Sequence, residues 1–225
     1  MYEEEAVLWR QVFDFWRQSY DEMDYSAHQR FYNMVARRFP DQRKADTDAV
    51  ESALIHLLET RTSLNVWELG GWDGALAHDM IETFSGDIEE WRNIEICDYA
   101  VQAGWRDEAG IYLPECPSNW VSEYTLPWEL RGYDIAILSH VIEHLSSEHL
   151  WHLLYMLQEV PYLYIQTPSA MGDDPHPTRW MGTMSTHKLE VGWQTVMGRL
   201  EELRYWVIWQ KGQARFFGKR EVAHG

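Results

Sequence analysis

Cysteine and positive charge are the two things this chain has little of. Its two cysteines, Cys97 and Cys116, form neither a CxxC pair nor a regular framework, which argues against a disulfide scaffold and for thiols in a reducing compartment. Lys and Arg number 19 against 36 Asp and Glu, for a formal net charge of −17. That balance argues against a broad nucleic-acid or anionic-membrane surface, though not against a local basic groove, because binding to phosphate is driven by cations that displace its counterions. Long apolar runs are also missing: none approaches the roughly 20 residues of a membrane span. The N-terminus, Met1-Tyr2-Glu3-Glu4-Glu5, is acidic where a secretory leader is basic. These features predict a cytoplasmic protein with no membrane partner. Neither an internal repeat nor a low-complexity tract divides the chain.

What is present is organised around Asn65 to Ile81, NVWELGGWDGALAHDMI, which reads as strand, glycine turn and helix. Val66, Trp67 and Leu69 form an apolar run that stops at Gly70-Gly71, and beyond Gly74 the residues Leu76, Met80 and Phe84 recur at four-residue spacing. Glycine in such a turn lets the backbone bend sharply and a ligand approach closely, while the helix start offers N–H groups to anionic ligand atoms. The stretch predicts a small-molecule cofactor pocket.

The remaining segments predict an α/β protein. Residues 1–60 carry three helical faces: Val7, Leu8, Val12, Phe15 and Trp16; then Phe31, Met34 and Val35; then Ala49, Val50, Ala53, Leu54, Leu57 and Leu58. This segment is expected either as a lid, with Tyr20, Tyr25, His28 and Tyr32 as substrate contacts, or as packing against the sheet or a second subunit. Residues 61–225 form the main domain. In it Asn93 to Asp98 reads as a short second strand ending on an acid, 110–119 as a loop, and Trp120 to Tyr124 as a weak third strand. Tyr133 to Leu138 is apolar enough for a strand buried on both faces. A helix with Leu150, Leu153, Leu154 and Leu157 leads to a strand at Tyr162 to Ile165. A Gly- and Pro-rich loop over 171–186 and a helix with Trp193, Val196, Met197 and Leu200 precede a C-terminal hairpin. The expected fold is a doubly wound, seven-stranded, mostly parallel sheet with an antiparallel C-terminal hairpin and an N-terminal helical segment.

In an open α/β sheet, ligands bind beyond the carboxyl ends of the strands. Ser139 to Leu145, SHVIEHL, should therefore face the same crevice as Gly70 to Gly74. Thirteen Trp and twelve Tyr supply either core or an aromatic substrate wall.

With these pieces placed, the sequence resembles the class I S-adenosylmethionine-dependent methyltransferases. Glu68-Leu69-Gly70-Gly71-Trp72-Asp73-Gly74 matches their E-x-G-x-x-x-G turn, Asp98 stands where their ribose-binding acid should be, and YDIAILSHVIEHL over 133–145 is similar to their fourth strand and its turn. The resemblance spans roughly 65–218 and leaves the 1–60 segment outside. It implies S-adenosylmethionine as cofactor. Gly70, Gly71 and Gly74 would meet its methionine and ribose parts, Asp98 the ribose, Tyr99 the adenine ring and Glu123 the adenine amine. Ser139 would flank the cofactor from the fourth strand, and Glu68 would support the turn.

Methyl transfer to a hydroxyl needs a group that removes a proton, and a histidine, with an ordinary pKa of about 6.5, suits the task. His140, His144 and His187 are the candidates; His144 is equally well read as a packed structural residue. If the turn is helical, His140, Glu143 and His144 lie at i, i+3 and i+4 on one face, which is metal-ligand spacing. The run also resembles the E-x-x-E-H element of metal-assisted O-methyltransferases, the ubiquinone-biosynthesis and small-RNA ribose enzymes, with His187 as a further ligand. Here His140 replaces the first glutamate, so Zn2+, Fe2+ or Mn2+ would suit the site better than Mg2+.

Neither a [DNS]-P-P-[YFW] run nor a Pro-Cys dipeptide marks a nucleobase methylase. The expectation is thus O- or N-methylation of a small molecule. Its rival is a non-catalytic cofactor-binding or interaction protein of the same fold, forming a homodimer through the N-terminal helices.

Overall fold

The computed structural model describes residues 32, 33, 37, 47–95, 97–104, 110–115, 130–145, 147–167, 192–211 and 215–221. Of the sequence expectations, the first and second helical faces, Tyr20, Tyr25, His28, the strand at 120–124, the 171–186 loop, Glu123 and His187 lie outside these residues.

Helix α1 (Thr47–Leu58) turns Ala49, Val50, Ala53, Leu54 and Leu57 inward, five residues on one face at the helical period. It leads into β1 (Leu64–Leu69), the glycine turn and α2 (Ala75–Thr83). β2 (Ile88–Ile94), α3 (Asp98–Ala103) and β3 (Tyr112–Glu115) form one half of the sheet. β4 (Ile135–Ser139), a 3-10 turn (Ile142–His144), α4 (Ser147–Met156) and β5 (Tyr162–Gln166) form the other. Helix α5 (Trp193–Glu202) and the hairpin strands β6 (Tyr205–Lys211) and β7 (Arg215–Arg220) complete the chain.

The sheet runs β3-β2-β1-β4-β5-β7-β6. β1 pairs in parallel with both β2 and β4, β2 with β3 and β4 with β5, whereas β7 is antiparallel to β5 and β6. β4 and β5 are buried at every residue, as central strands covered on both faces must be. One cluster joins α1 and α2 to Val66, Ile135, Ile137 and Phe217; the other joins α4 and α5 to Trp67, Leu138, Leu163 and Phe216. Each fully buried Leu or Ile in these layers contributes about 1.5–3 kcal/mol, so the helices are held by their apolar faces more than by local propensity.

Two strand expectations need correction. β2 starts at Ile88 and ends at Ile94, so Asp98 opens α3 and does not end the strand. Ile88, Trp91 and Ile94 are three apart, a spacing that hides the period-two strand pattern because Asn93, between two of them, is a buried polar residue. A strand also occupies 112–115, inside the segment expected as a loop. Pro114 stands opposite Asn93 in the β2–β3 ladder, and β3 is an edge strand, where a proline's missing N–H costs no second partner.

The chain order reverses between β1 and β4, so the carboxyl ends of these two neighbours form the switch-point crevice of the sheet. The glycine turn and the His140 turn leave from those ends.

Candidate functional site

Gly70 has φ 76° and Gly74 φ 82°, left-handed values that glycine adopts without strain. Trp72, between them, has φ 55° despite its side chain. Gly71 is required for space: a Cβ there would stand 2.4 Å from Glu68 Oε2 and 2.5 Å from Asn93 Oδ1.

Behind the turn lies a buried polar column from β2. Trp91, Asn93 and Glu95 alternate along the chain and so share one side of the strand. The Trp91 indole N–H donates to Glu68 Oε2 at 2.9 Å, the Gly71 amide donates to Asn93 Oδ1 at 2.8 Å, and the Trp72 amide donates to Glu95 Oε2 at 2.8 Å. Glu68 therefore braces the turn from below; its carboxylate faces the interior and is 1% exposed. The amides of Gly70 and Gly74 donate to Ile94 O and Gly71 O, and that of Ala75 to Asp73 Oδ1. These five donors already have partners within the protein, which narrows the expected role of the turn as an N–H cradle for anions.

The β2–α3 turn is the second part of the site. Glu95 Oε1 accepts the Cys97 amide at 2.9 Å, and the buried Cys97 thiol accepts from Ala100 N at 3.4 Å, capping α3. Asp98 is the first residue of that helix. Tyr99 is exposed, with the Arg37 guanidinium 5.2 Å from its ring centroid. Asn33 Oδ1 accepts the Tyr99 amide at 3.0 Å and the Cys97 S–H at 3.2 Å. Tyr32 packs with Trp72 against Cys97 and Ala100. Tyr32, Asn33 and Arg37 of the N-terminal segment thus lie on the two turns expected to hold the cofactor.

The third part follows β4. Ser139 ends the strand and is buried. His140 has φ 57°, and its amide donates to Gln166 O at 2.8 Å, joining the ends of β4 and β5. Its Nδ1 stands 3.4 Å from Glu143 Oε1, with the imidazole 33% exposed and the carboxylate 1% exposed. The next residue, Val141, touches the glycine turn: a Cβ on Gly70 would lie 2.5 Å from Val141 Cγ2. The conditional metal geometry is not met as an α-helical face. His140 has a left-handed backbone and lies before a 3-10 turn limited to 142–144, so it does not belong to an α-helical turn with Glu143 and His144. Among the described residues no group of three or more His, Cys, Asp or Glu is placed to hold a metal ion.

Sequence reasoning missed Asn33, Asn93 and Glu95 as parts of the site. A correct phase for β2 would have shown Trp91, Asn93 and Glu95 on one side; Asn33 carries no such signal.

No protein-family model and no curated protein sequence matches this chain, but solved structures do. The methyltransferase domain of bacterial CtHen1 is similar at 16% identity and TM-score 0.54, covering 74% of this chain and 94% of that one. The CurJ carbon methyltransferase matches at 11% identity and TM-score 0.58, over 98% of this chain and 71% of that one. The N-terminal domain of EvdMO1, solved with S-adenosylhomocysteine bound, matches at 13% identity and TM-score 0.53, over 79% and 82%. With the strand order, the antiparallel hairpin and the glycine turn at the switch point, these likenesses show that the chain has the class I S-adenosylmethionine-dependent methyltransferase fold.

Proposed function

We propose that the protein is an S-adenosylmethionine-dependent methyltransferase that modifies a small-molecule acceptor at oxygen or nitrogen. The observation that carries the proposal is the close approach of Gly70 to Val141, which brings the glycine turn after β1 and the turn after β4 together at the switch point.

The chemistry of the turns supports this cofactor over a dinucleotide. The amides of Gly70, Gly71, Trp72, Gly74 and Ala75 are hydrogen-bonded within the protein, and the acids Asp73, Glu95 and Asp98 stand at or beside the turns. Such a site suits a ligand that brings an ammonium, a sulfonium and ribose hydroxyls, and it disfavours phosphate. S-adenosylmethionine supplies the electrophilic methyl group. Gly70, Gly71 and Gly74 give its methionine part close approach, Asp98 accepts from the ribose, and Tyr99 with Glu123 frames the adenine.

His140 is the proton acceptor for a hydroxyl substrate. The buried Glu143 carboxylate beside Nδ1 orients the ring, leaving Nε2 for the acceptor. Thr167, whose buried hydroxyl has no hydrogen-bond partner among the described residues, follows β5 on the same edge and offers the acceptor a polar contact. His144 and His187 are further candidates for the proton relay.

A second reading shares the His140–Glu143 pair. His140, Glu143, His144 and His187 would hold a divalent ion that would supply Lewis-acid activation of the acceptor, as the sequence resemblance to metal-assisted O-methyltransferases implies. The net charge of −17 favours a small-molecule acceptor in either case.

Titration calorimetry of the full chain with S-adenosylmethionine and S-adenosylhomocysteine tests the cofactor, and an acceptor panel of phenols, sugars and amines tests turnover. Binding in the micromolar range with methyl transfer to at least one class is expected. Absence of binding by folded protein refutes the proposal; binding with no turnover on any acceptor favours a non-catalytic role.

A further inference from the structure

Glu95 uses both carboxylate oxygens on different turns. Oε2 accepts the amide of Trp72 at 2.8 Å, and Oε1 accepts the amide of Cys97 at 2.9 Å. The carboxylate is 3% exposed, so water does not replace either bond cheaply. One of these bonds holds Trp72 at the left-handed φ of 55° that a non-glycine residue adopts only under constraint.

We infer that Glu95 is a positioning residue that sets the distance between the two halves of the cofactor site, the glycine turn and the Cys97–Tyr99 turn. The inference rests on the cofactor reading above. Asn93 and Glu95, two residues apart on one side of β2, hold the consecutive amides of Gly71 and Trp72, and Glu95 also accepts the Cys97 amide in the turn that carries Asp98. A ligand spanning both turns depends on their spacing, because its second half binds with an effective concentration set by where the first half is held. A ligand that meets one turn does not.

That difference separates positioning from mere stabilisation. Glu95→Gln keeps the shape but leaves one acceptor oxygen for two amides. The expected result is that affinity for S-adenosylhomocysteine, which spans both turns, falls about tenfold or more, while affinity for adenosine, measured by ligand-observed NMR, changes less than about twofold. Equal losses for the two ligands, or no loss for either, overturn the inference. Where Glu95→Gln fails to fold, amide exchange in the wild type decides: S-adenosylhomocysteine should slow Trp72 and Cys97 together, and slowing of only one or of neither overturns the inference. If the wild type binds no S-adenosylhomocysteine, the cofactor reading and the inference fall together. If the wild type binds and Glu95→Gln binds equally well, only the inference fails.

Discussion

His140 Nδ1 stands 3.4 Å from Glu143 Oε1, a half-exposed imidazole against a buried carboxylate, with the imidazole carried on a left-handed backbone at the end of β4. A non-glycine residue in this conformation costs of order 1–3 kcal/mol, and here the amide of His140 is held by Gln166 O at 2.8 Å. For a hydroxyl acceptor, His140→Ala is expected to lower kcat by roughly 100- to 10,000-fold, the usual worth of a positioned base. S-adenosylhomocysteine affinity should stay within about twofold, since the base does not hold the cofactor. Glu143→Gln should lower kcat by at least about tenfold with KM little changed, because it removes the orienting charge and not a substrate contact. Wild-type rates in His140→Ala would point to an amine acceptor that needs no base.

A chelator separates the two uses of the same pair. Under the base mechanism, dialysis against EDTA leaves turnover unchanged; under the metal mechanism, turnover disappears and returns with Zn2+, Fe2+ or Mn2+. Metal content measured on His140→Ala, beside the wild type, provides the check independent of activity.

Much of this arrangement is legible in the sequence, and the parts that are not share a cause. β4 and β5 stand out because strands buried on both faces read as continuous apolar runs, and the Gly70–Gly74 turn stands out because glycine has few substitutes there. β2 does not, because its inner side holds Asn93 and carries on to Glu95, so that periodicity sees polar residues where the fold buries them. Their burial is made tolerable by amide donors that arrive from elements elsewhere in the chain, a fact no local window contains. β3 is hidden by Pro114 for a similar reason, since only the sheet order reveals that it lies at an edge. Asn33, far from Cys97 and Tyr99 in sequence, is found by geometry alone.

Gly71 and Gly198 make a matched pair of substitutions. A methyl on Gly71 meets the Glu68 carboxylate and the Asn93 amide, so Gly71→Ala should cost about 1–3 kcal/mol and abolish measurable S-adenosylhomocysteine binding. Gly198, exposed on α5, has nothing within 4 Å of the added carbon. Gly198→Ala should therefore stabilise the protein by about 0.5–1 kcal/mol and leave binding unchanged. Thermal unfolding with and without ligand reads both effects.

Asn33 distinguishes a lid from a subunit interface. Its side chain accepts from Tyr99 and Cys97, so Asn33→Ala should cost about 1 kcal/mol and expose the N-terminal segment to proteolysis. If the segment is a lid, the variant also binds S-adenosylhomocysteine several-fold more weakly, and the ligand slows cleavage in the wild type. If it is an interface, sedimentation shows a change in oligomeric state while affinity stays constant.

Tyr205 links stability to pH at the alkaline end. Its buried hydroxyl donates to Leu157 O at 2.7 Å and Val160 O at 3.1 Å, and burial pushes its pKa well above the usual value; the nearby Arg220 opposes this only partly. The fold thus favours the neutral phenol. Its contribution is complete below the unfolded pKa of about 10 and is lost as pH rises past it, because the unfolded chain then releases a proton that the folded one retains. Tyr205→Phe removes both bonds and should cost about 1–2 kcal/mol at pH 7. Above pH 10 the gap between wild type and variant should narrow by up to about 1.4 kcal/mol per pH unit, a slope that urea unfolding at pH 7, 9, 10 and 11 resolves. A gap that stays constant from pH 9 to 11 would mean that the hydroxyl titrates alike in both states, and the burial of Tyr205 would not govern it.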